Sequence, residues 1–215
     1  MPRLGLVTAL DAAARGRARR SLLRRDRVLA RVIRAAGPCG LEPRGDPYRQ
    51  LLRSVVYQQL AGSAASAIDG RLRAAWRGRY PRPERLLAAP TAQLRRAGLS
   101  RQKIAALRAV AEAFDSGALS NRRLRRMDDA AVVEAVTRVR GIGEWTAHML
   151  LMFGLGRPDV LPVGDYGVRK GAQQLYDLDE LPGRRELEAL AAPWRPWRSV
   201  AAWYLWRVTD TELPG

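Results

Sequence analysis

The amino-acid sequence predicts an all-α fold. Apolar residues recur every three or four positions over most of the chain, which is the pattern of a helix with one buried face. Aspartate, serine or an Asp-Pro pair, all preferred at helix starts, stands before many of these stretches. The strict alternation of apolar and polar residues that marks a half-buried β-strand is nearly absent.

Helix starts can be followed in order through the first half of the chain. Asp26 is expected to begin one helix, and Asp46, followed by proline, begins the next, which ends near Gln58. A glycine–serine pair at 62–63 separates that helix from its successor. Further helices are expected at 64–76, 83–89, 91–97 and 100–114.

The second half of the chain follows the same pattern around one tight turn. Asp128 begins a helix that leads into the glycine turn at 141–143, and a new helix at 145–155 follows directly. The segment 160–163 is expected to be extended. The remaining helices are expected to begin at Asp165 and to cover 186–191 and 197–208.

These helices are expected to form two lobes with an active cleft between them. One lobe comprises residues 47–163, and the other comprises 17–46 together with 164–215. A chain of 215 residues is long enough to bury the core that such an arrangement needs, and residues 1–215 are expected to act as one functional unit.

Composition excludes several classes of protein. Hydrophobic residues make up 47% of the chain and the mean hydropathy is −0.27, with no apolar run of membrane-spanning length and no signal-peptide core. We therefore expect no membrane partner and a location in the cytoplasm or nucleoid of a bacterium. The single cysteine, Cys39, excludes an intrachain disulfide, a cysteine-based zinc site and a four-cysteine iron–sulfur cluster.

The net charge of +17 points to a polyanionic partner. Lys103 and Lys170 are the only lysines, so nearly all of the positive charge is arginine, part of which reflects a biased genome. Nucleic acid is the expected partner, well ahead of an anionic membrane, although most of these arginines are expected on solvated helix faces.

The turn Gly141-Ile142-Gly143 is the strongest local signal in the chain. Glycine at both ends permits positive φ and lets a phosphate approach the backbone without meeting a Cβ atom. The amides that follow open a helix N-terminus, where the helix dipole and unpaired donors favour an anion. Ile142 is expected to anchor the turn in the core, and an ordinary helix–helix turn is the alternative interpretation.

The segment around this turn resembles the helix-hairpin-helix, Gly/Pro-rich loop and aspartate (HhH-GPD) of a superfamily of DNA glycosylases that excise damaged bases. Three further blocks resemble the alkylated-base branch, the 3-methyladenine DNA glycosylase II proteins, in a minimal form without the N-terminal β domain. The blocks are Asp46-Pro47-Tyr48 with 54–60, 156–160 with 162–165, and 196–199 with 203–206. The resemblance covers roughly residues 26 to 208, nearly the whole chain.

The resemblance makes Asp165 the expected catalytic residue. Departure of the base builds positive charge on the sugar, and a nearby carboxylate stabilises that charge and orients water. From the residues alone, Asp165 could equally be the N-cap of the following helix, with Asp159 as a rival acid. Relatives that also cut the DNA strand carry a lysine where this chain has Trp145, so we expect a monofunctional enzyme without abasic-site lyase activity.

The resemblance also implies residues that bind the DNA and the extruded base. The base must leave the duplex for reaction, and residues of the turn after the helix of 47–57 are expected to fill the gap as a wedge. The alternatives are a helix C-cap contact for Gln58 and a core position for Leu60. Electron-rich rings in the base pocket would attract a cationic methylated base. The expected wedge is Gln58, Gln59 and Leu60; the pocket is Tyr57, Trp145, Met149, Tyr166 and Trp206; the phosphate-binding hairpin is Gly141, Ile142, Gly143, Trp145 and Thr146.

No cofactor is expected to be required. By resemblance, the backbone carbonyls of Thr137, Val139 and Gly141 are candidates to hold a monovalent cation, Na⁺ or K⁺, at the hairpin.

The expected function is a base-excision-repair glycosylase acting as a monomer on double-stranded DNA that contains a damaged base. It would flip out alkylated purines of the 3-methyladenine and 7-methylguanine type and hydrolyse their N-glycosidic bond. A glycosylase for deaminated or etheno-adduct bases is one alternative, and a non-catalytic helix-hairpin-helix module that only binds DNA is the other.

Overall fold

The computed structural model describes residues 10–60 and 62–210, and within these residues the regular structure is helical, with no strand. The prediction of an all-α fold is confirmed. The α-helices are α1 (Ala12–Arg25), α2 (Arg27–Ala36), α3 (Pro47–Tyr57), α4 (Gly62–Ala74), α5 (Pro83–Leu87), α6 (Thr91–Arg96), α7 (Arg101–Asp115), α8 (Asn121–Arg126), α9 (Asp129–Thr137), α10 (Glu144–Met149), α11 (Tyr166–Tyr176), α12 (Arg184–Leu190) and α13 (Arg198–Asp210). A π-helix covers Leu150–Gly154 and a 3₁₀-helix covers Ala192–Trp194.

The expected capping residues begin their helices through side-chain hydrogen bonds. Asp26 Oδ1 accepts from the backbone amides of the first turn of α2 at 3.0 and 2.9 Å. Asp46 caps α3 at 3.2 Å with proline in the first turn, and Ser100 caps α7 at 3.2 Å. Each side chain satisfies donors that a helix start leaves without an intrahelical partner.

Two helices were not expected from the sequence. Helix α1 is capped by Asp11, whose carboxylate accepts from the Ala14 amide, and it buries Ala14, Ala18 and Leu22 at intervals of four residues. Helix α8 is capped in the same way by Ser120. Both segments are rich in arginine, and their short or alanine-based apolar faces give a weak periodic signal.

The helix expected at 145–155 consists of two parts. Helix α10 ends at Met149, and the π-helix Leu150–Gly154 continues directly from it. A π-helical turn is rare and often lies at a functional site. Nothing in the apolar spacing distinguishes such a turn from α-helix.

The described residues divide into two compact units, and the second boundary differs from the expected one. Unit 2 is Gly45–Leu150, and unit 1 comprises the described residues of Met1–Arg44 and Leu151–Gly215. The boundary was expected at 163. Backbone hydrogen bonds explain the difference: the amide of Leu10 donates to Gly156 and the amide of Arg44 donates to Phe153, both within unit 1. They bind the segment after Leu150 to the start of the chain.

Unit 1 contains a half-buried cluster of polar contacts around Asp26 and a close helix pair. Asp26 Oδ2 accepts from the Tyr176 hydroxyl at 2.6 Å and from the Trp194 indole at 2.7 Å, and Trp194 is fully buried. Burial and the bond to Asp26 raise the pKa of Tyr176. A Cβ atom on Gly171 of α11 would lie 2.2 Å from the Leu205 carbonyl oxygen of α13, so only glycine permits this approach.

Unit 2 has an apolar core between α3 and the helices packed against it. Leu51 and Val55 of α3 and Leu107 and Val110 of α7 are fully buried, in agreement with the apolar spacing of both helices. This core supports the end of α3 and the glycine turn. Among residues 10–60 and 62–210, no helix is both long enough and apolar enough to cross a membrane.

Candidate functional site

Asp165 lies at the start of α11 in unit 1 and is nearly buried, with 9% of its surface exposed. Its Oδ1 accepts from the Val168 amide at 2.8 Å, which makes it the N-cap of the helix. The same oxygen accepts from the indole Nε1–H of Trp206 at 2.9 Å. The capping role is therefore present, and it fixes the carboxylate in one orientation, as a catalytic role would also require.

Trp206 is held in place by an aromatic partner and by a glycine. Its indole stacks on Phe153 with ring centroids 5.9 Å apart and an interplanar angle of 20°. A Cβ atom on Gly167 would lie 2.9 Å from Trp206 Cδ1 and 3.2 Å from Asp165 Oδ1. Any side chain at 167 would therefore push the indole and the carboxylate apart. Sequence reasoning missed Gly167, although glycine in the first turn of a helix is a recognisable departure from helix preference.

Asp159, the alternative candidate for the catalytic acid, binds two arginine side chains of unit 1. Its carboxylate oxygens accept from Arg198 at 2.7 and 3.0 Å and from Arg195 at 3.1 Å. These charge-assisted bonds, together with a bond from the Arg198 amide, connect the loop of Asp159 to the start of α13. The geometry indicates a structural role for Asp159.

The residues expected to form a base pocket are divided between the two units. Unit 1 holds Trp206 and Tyr166, the latter 67% exposed. Unit 2 holds Met149, which is buried, and the half-buried rings of Trp145 and Tyr57. The guanidinium of Arg53 lies 3.9 Å from the centroid of the Tyr57 ring and also forms an ion pair with the buried Asp69. That cation–π contact gives Tyr57 a fixed partner that the sequence did not indicate.

The two glycines of the turn in unit 2 differ in conformation. Gly141 has φ +82°, and a Cβ atom there would lie 2.6 Å from Ala106 Cβ of α7. Gly143 has φ −101°, and a Cβ atom there would meet nothing within 4 Å. Of the two positions where glycine permits positive φ, only Gly141 adopts it. Ile142 is buried, as expected for the anchor of the turn.

Gln58 contacts the turn directly. Its Nε2 donates to the Gly141 carbonyl at 3.0 Å and to the hydroxyl of Thr146, a buried residue, at 2.9 Å. This half-buried side chain therefore connects the end of α3 to the glycine turn within unit 2. Gln59 and Leu60 are exposed, and Gln59 has the left-handed φ of +54°. These two are the residues of the expected wedge whose side chains are open to solvent.

Lys103 of α7 is a further residue that sequence reasoning did not assign. Its Nζ donates to the carbonyls of Val55, Val56 and Gln58, at the end of α3. Burial lowers the pKa of the Lys103 ammonium. Its only sequence signal was that it is one of two lysines in an arginine-rich chain.

The carbonyls expected to hold a monovalent cation already take part in the turn. The Gly141 carbonyl accepts from Gln58, and the Val139 carbonyl accepts from the Ile142 amide at 3.0 Å. Each carbonyl oxygen has a second lone pair, so the two bonds leave room for a cation ligand. No cluster of three or more His, Cys, Asp or Glu side chains suited to a metal ion occurs within 10–60 and 62–210.

The sequence matches a protein-family model over most of its length. Residues 52–196 match the HhH-GPD superfamily base excision DNA repair protein. The chain is 36% identical over 166 residues to DNA-3-methyladenine glycosylase 1 of Schizosaccharomyces pombe, covering 76% of this chain and 73% of that protein.

Solved structures agree with this match. The fold is similar to that of the 3-methyladenine DNA glycosylase Mag1 of Schizosaccharomyces pombe in complex with abasic DNA, with a TM-score of 0.86 and 31% identity over 93% of this chain and 99% of that one. It is also similar to DNA-3-methyladenine glycosidase from Bacillus halodurans, with a TM-score of 0.75 and 39% identity over 90% and 89% of the two chains.

Proposed function

Because the chain belongs to the HhH-GPD superfamily of base excision DNA repair proteins, we propose that it is a DNA-3-methyladenine-type glycosylase. It hydrolyses the N-glycosidic bond of alkylated purines in double-stranded DNA. The names of the relatives support this substrate class, since DNA-3-methyladenine glycosylase 1 of Schizosaccharomyces pombe and DNA-3-methyladenine glycosidase from Bacillus halodurans are both more than 30% identical to it over most of its length. The observation that carries the proposal is the fixed, nearly buried carboxylate of Asp165.

Asp165 acts by electrostatic stabilisation. As the base departs, positive charge develops on the sugar, and a carboxylate whose orientation is already fixed stabilises that charge without reorganising. The Val168 amide and the Trp206 indole supply the fixation by donating to one oxygen. A water molecule that the carboxylate orients then attacks the anomeric carbon, and the products are the free base and an abasic sugar.

Aromatic side chains recognise the alkylated base. Methylation at a ring nitrogen makes a purine cationic, and an indole or phenol face attracts a desolvated cation by roughly 0.5–2 kcal/mol. The cationic base is also a good leaving group, so it needs little proton donation from the enzyme. Trp206 is the best placed of the proposed pocket residues, because its ring is held beside Asp165 by the stack on Phe153.

The glycine turn and the neighbouring wedge residues bind the DNA. Exposed Gly143 begins α10 with open space where a Cβ atom would lie, so a phosphate can approach the amides of the first turn. Gln59 and Leu60 then fill the gap that the extruded nucleotide leaves. A cation on the carbonyls of Thr137, Val139 and Gly141 would add positive charge beside that phosphate.

The enzyme is proposed to be monofunctional. Strand cleavage by this superfamily needs a lysine amine to form a Schiff base with the sugar. Trp145 occupies the position of that lysine, two residues after the second glycine of the turn. The abasic site is therefore left uncut. We further propose that the protein acts as a monomer in the cytoplasm or nucleoid, where its DNA substrate lies.

Replacing Asp165 with asparagine tests the proposed chemistry. Asparagine is as good an N-cap as aspartate and its Oδ1 can accept the same two hydrogen bonds, so the substitution removes the charge and keeps the local structure. We expect Asp165→Asn to bind methylated duplex DNA with an unchanged Kd while its single-turnover base release falls about 10²- to 10³-fold. Binding is measured by fluorescence anisotropy and release by chromatography of the free base.

Asp159→Asn is the matched control, because it removes the same charge from the acid that contacts Arg195 and Arg198. It should lower the unfolding temperature and leave base release per folded molecule close to that of the wild type. Base release by Asp165→Asn at the wild-type rate would contradict the mechanism. If the wild type releases no base from alkylated, deaminated or etheno-modified duplexes but binds them, the protein is a non-catalytic DNA-binding module.

A further inference from the structure

The end of α3 and the turn that follows it are held by one ammonium group. We call residues Gln58, Gln59 and Leu60 the wedge turn. Lys103 Nζ donates to the carbonyl oxygens of Val55 at 3.1 Å and of Gln58 at 2.8 Å, and it also donates to Val56. An ammonium group has three N–H donors, so these carbonyls account for all of them. A cation at this position also complements the negative end of the α3 dipole.

The wedge turn has a backbone conformation that needs external support. Gln59 has φ +54°, in the left-handed region that residues with a Cβ atom seldom adopt. The residue before it is held twice: the Gln58 carbonyl accepts from Lys103, and the Gln58 side chain donates to Gly141 and Thr146. Such conformations persist where surrounding contacts fix them.

Helix α7 supports the wedge turn and the glycine turn from the same side. Lys103 lies three residues before Ala106, so the two are neighbours on one face of α7. Ala106 is the residue against which Gly141 packs, with 2.6 Å between Ala106 Cβ and the position of a Gly141 Cβ atom. The Gln58 side chain also joins the wedge turn directly to the glycine turn, so that α7 and the two turns all contact one another.

We propose that Lys103 is a positioning residue for base extrusion, which acts by holding the wedge turn in its insertion-ready conformation against the glycine turn. This inference rests on the proposed function. The lysine reaches no reacting atom; it acts through Gln59 and Leu60. Because both turns rest on α7, a phosphate held by the glycine turn is placed at a fixed distance from the residues that enter the base stack.

The test separates DNA binding from base extrusion. The variant Lys103→Met keeps the length of the side chain and removes the ammonium. Base extrusion is followed in a methylated duplex that carries 2-aminopurine beside the lesion, because the fluorescence of 2-aminopurine rises when it loses stacking. Base release is measured on the same duplex under single-turnover conditions. We expect the fluorescence rise to shrink and base release to fall about 10- to 100-fold, the effect of losing bonds to a charged group. The Kd for undamaged duplex, set by phosphate contacts, should stay within about twofold.

Further variants show whether the effect comes from the Lys103 amine itself. Gln102→Met alters the adjacent, exposed position of α7 and should behave like the wild type. Lys103→Cys treated with 2-bromoethylamine regains an amine, with a sulfur replacing one methylene, and should recover both the fluorescence rise and the release rate. Wild type treated in the same way controls for Cys39, which is 7% exposed. Lys103→Gln, which keeps uncharged donors, replaces Lys103→Met if the latter does not fold.

The possible outcomes distinguish this inference from the proposed function. If the wild type releases base while Lys103→Met matches it in fluorescence and rate, Lys103 is a helix-end contact alone and the inference fails. The same conclusion follows if release falls only in proportion to the unfolded fraction, or if the restored amine gives no recovery. If the wild type itself releases no base from any lesion, the proposed function fails.

Discussion

At the residue scale, one oxygen atom of Asp165 organises the candidate site. Oδ1 accepts from the Val168 amide and from the Trp206 indole, so the helix start and an aromatic ring both fix its direction. A group whose position is set before the substrate arrives stabilises developing charge without a reorganisation cost. The indole donates a hydrogen bond to the carboxylate, and its ring is also the surface on which we propose that the base stacks.

Trp206→Phe separates these two roles. Phenylalanine keeps an aromatic ring beside Phe153 and removes the indole N–H, so Asp165 Oδ1 loses the hydrogen bond from residue 206. We expect base release to fall about tenfold, the size of a lost bond to a charged group. Single-turnover kinetics on methylated duplex DNA measure the effect. Trp203→Phe on the same helix is the control and should leave the rate unchanged; equal losses in both variants would argue against the donor role.

The sequence predicted which residues belong to the candidate site, but it did not predict the contacts between them. Asp165 and Trp206 were both named through the family resemblance, and their separation of 41 residues gives no hint of a direct bond. The bond depends on the packing of α11 against α13 and on the absence of a side chain at Gly167. Such requirements lie in the tertiary structure, so residue patterns alone do not show them.

At the element scale, the glycine turn joins α9 and α10, and its two glycines differ in backbone conformation and in surroundings. Gly141 combines a left-handed backbone with the tight approach to Ala106, whereas Gly143 has an ordinary φ and open surroundings. The first is required by the protein's own packing. Gly143 leaves open space at the start of α10, where we propose that a phosphate binds.

Alanine at each glycine tests this division. Gly141→Ala introduces a strained φ and a Cβ atom that overlaps Ala106, so the free energy of unfolding should fall by roughly 1–3 kcal/mol. Gly143→Ala should leave it within about 0.5 kcal/mol of the wild type, as for an open surface position, while weakening binding to duplex DNA. Urea denaturation and anisotropy titrations give the two quantities. A Gly143→Ala protein with wild-type affinity would contradict phosphate binding at this turn.

Helix starts were the most predictable elements, because a cap is a local signal. Asp26, Asp46, Ser100, Asp128 and Asp165 all begin helices through their side chains. Elements were harder to predict where the apolar pattern is weak or where two kinds of helix have the same pattern. Helix α1 buries two alanines, a serine and a single leucine between arginines, and the π-helix after α10 has the apolar spacing of an ordinary helix.

At the scale of the whole molecule, the helical fold and the family were predicted from the sequence. Of the division into two units, one of the two boundaries was predicted closely. The helical class was legible from apolar periodicity. The boundary expected at 163 lies at Leu150, because backbone bonds from Leu10 and Arg44 capture the segment that follows. These bonds join residues more than a hundred positions apart, and main-chain pairing of this kind leaves no side-chain pattern.

The most direct test of the proposed activity is incubation of the wild-type protein with methylated duplex DNA, followed by analysis of both the released base and the strand. We predict free methylated purine in solution and full-length strands that break only after treatment with alkali, because Trp145 replaces the lysine that strand cleavage needs. Absence of released base, or strand breaks before alkali, would contradict a monofunctional alkyl-base glycosylase.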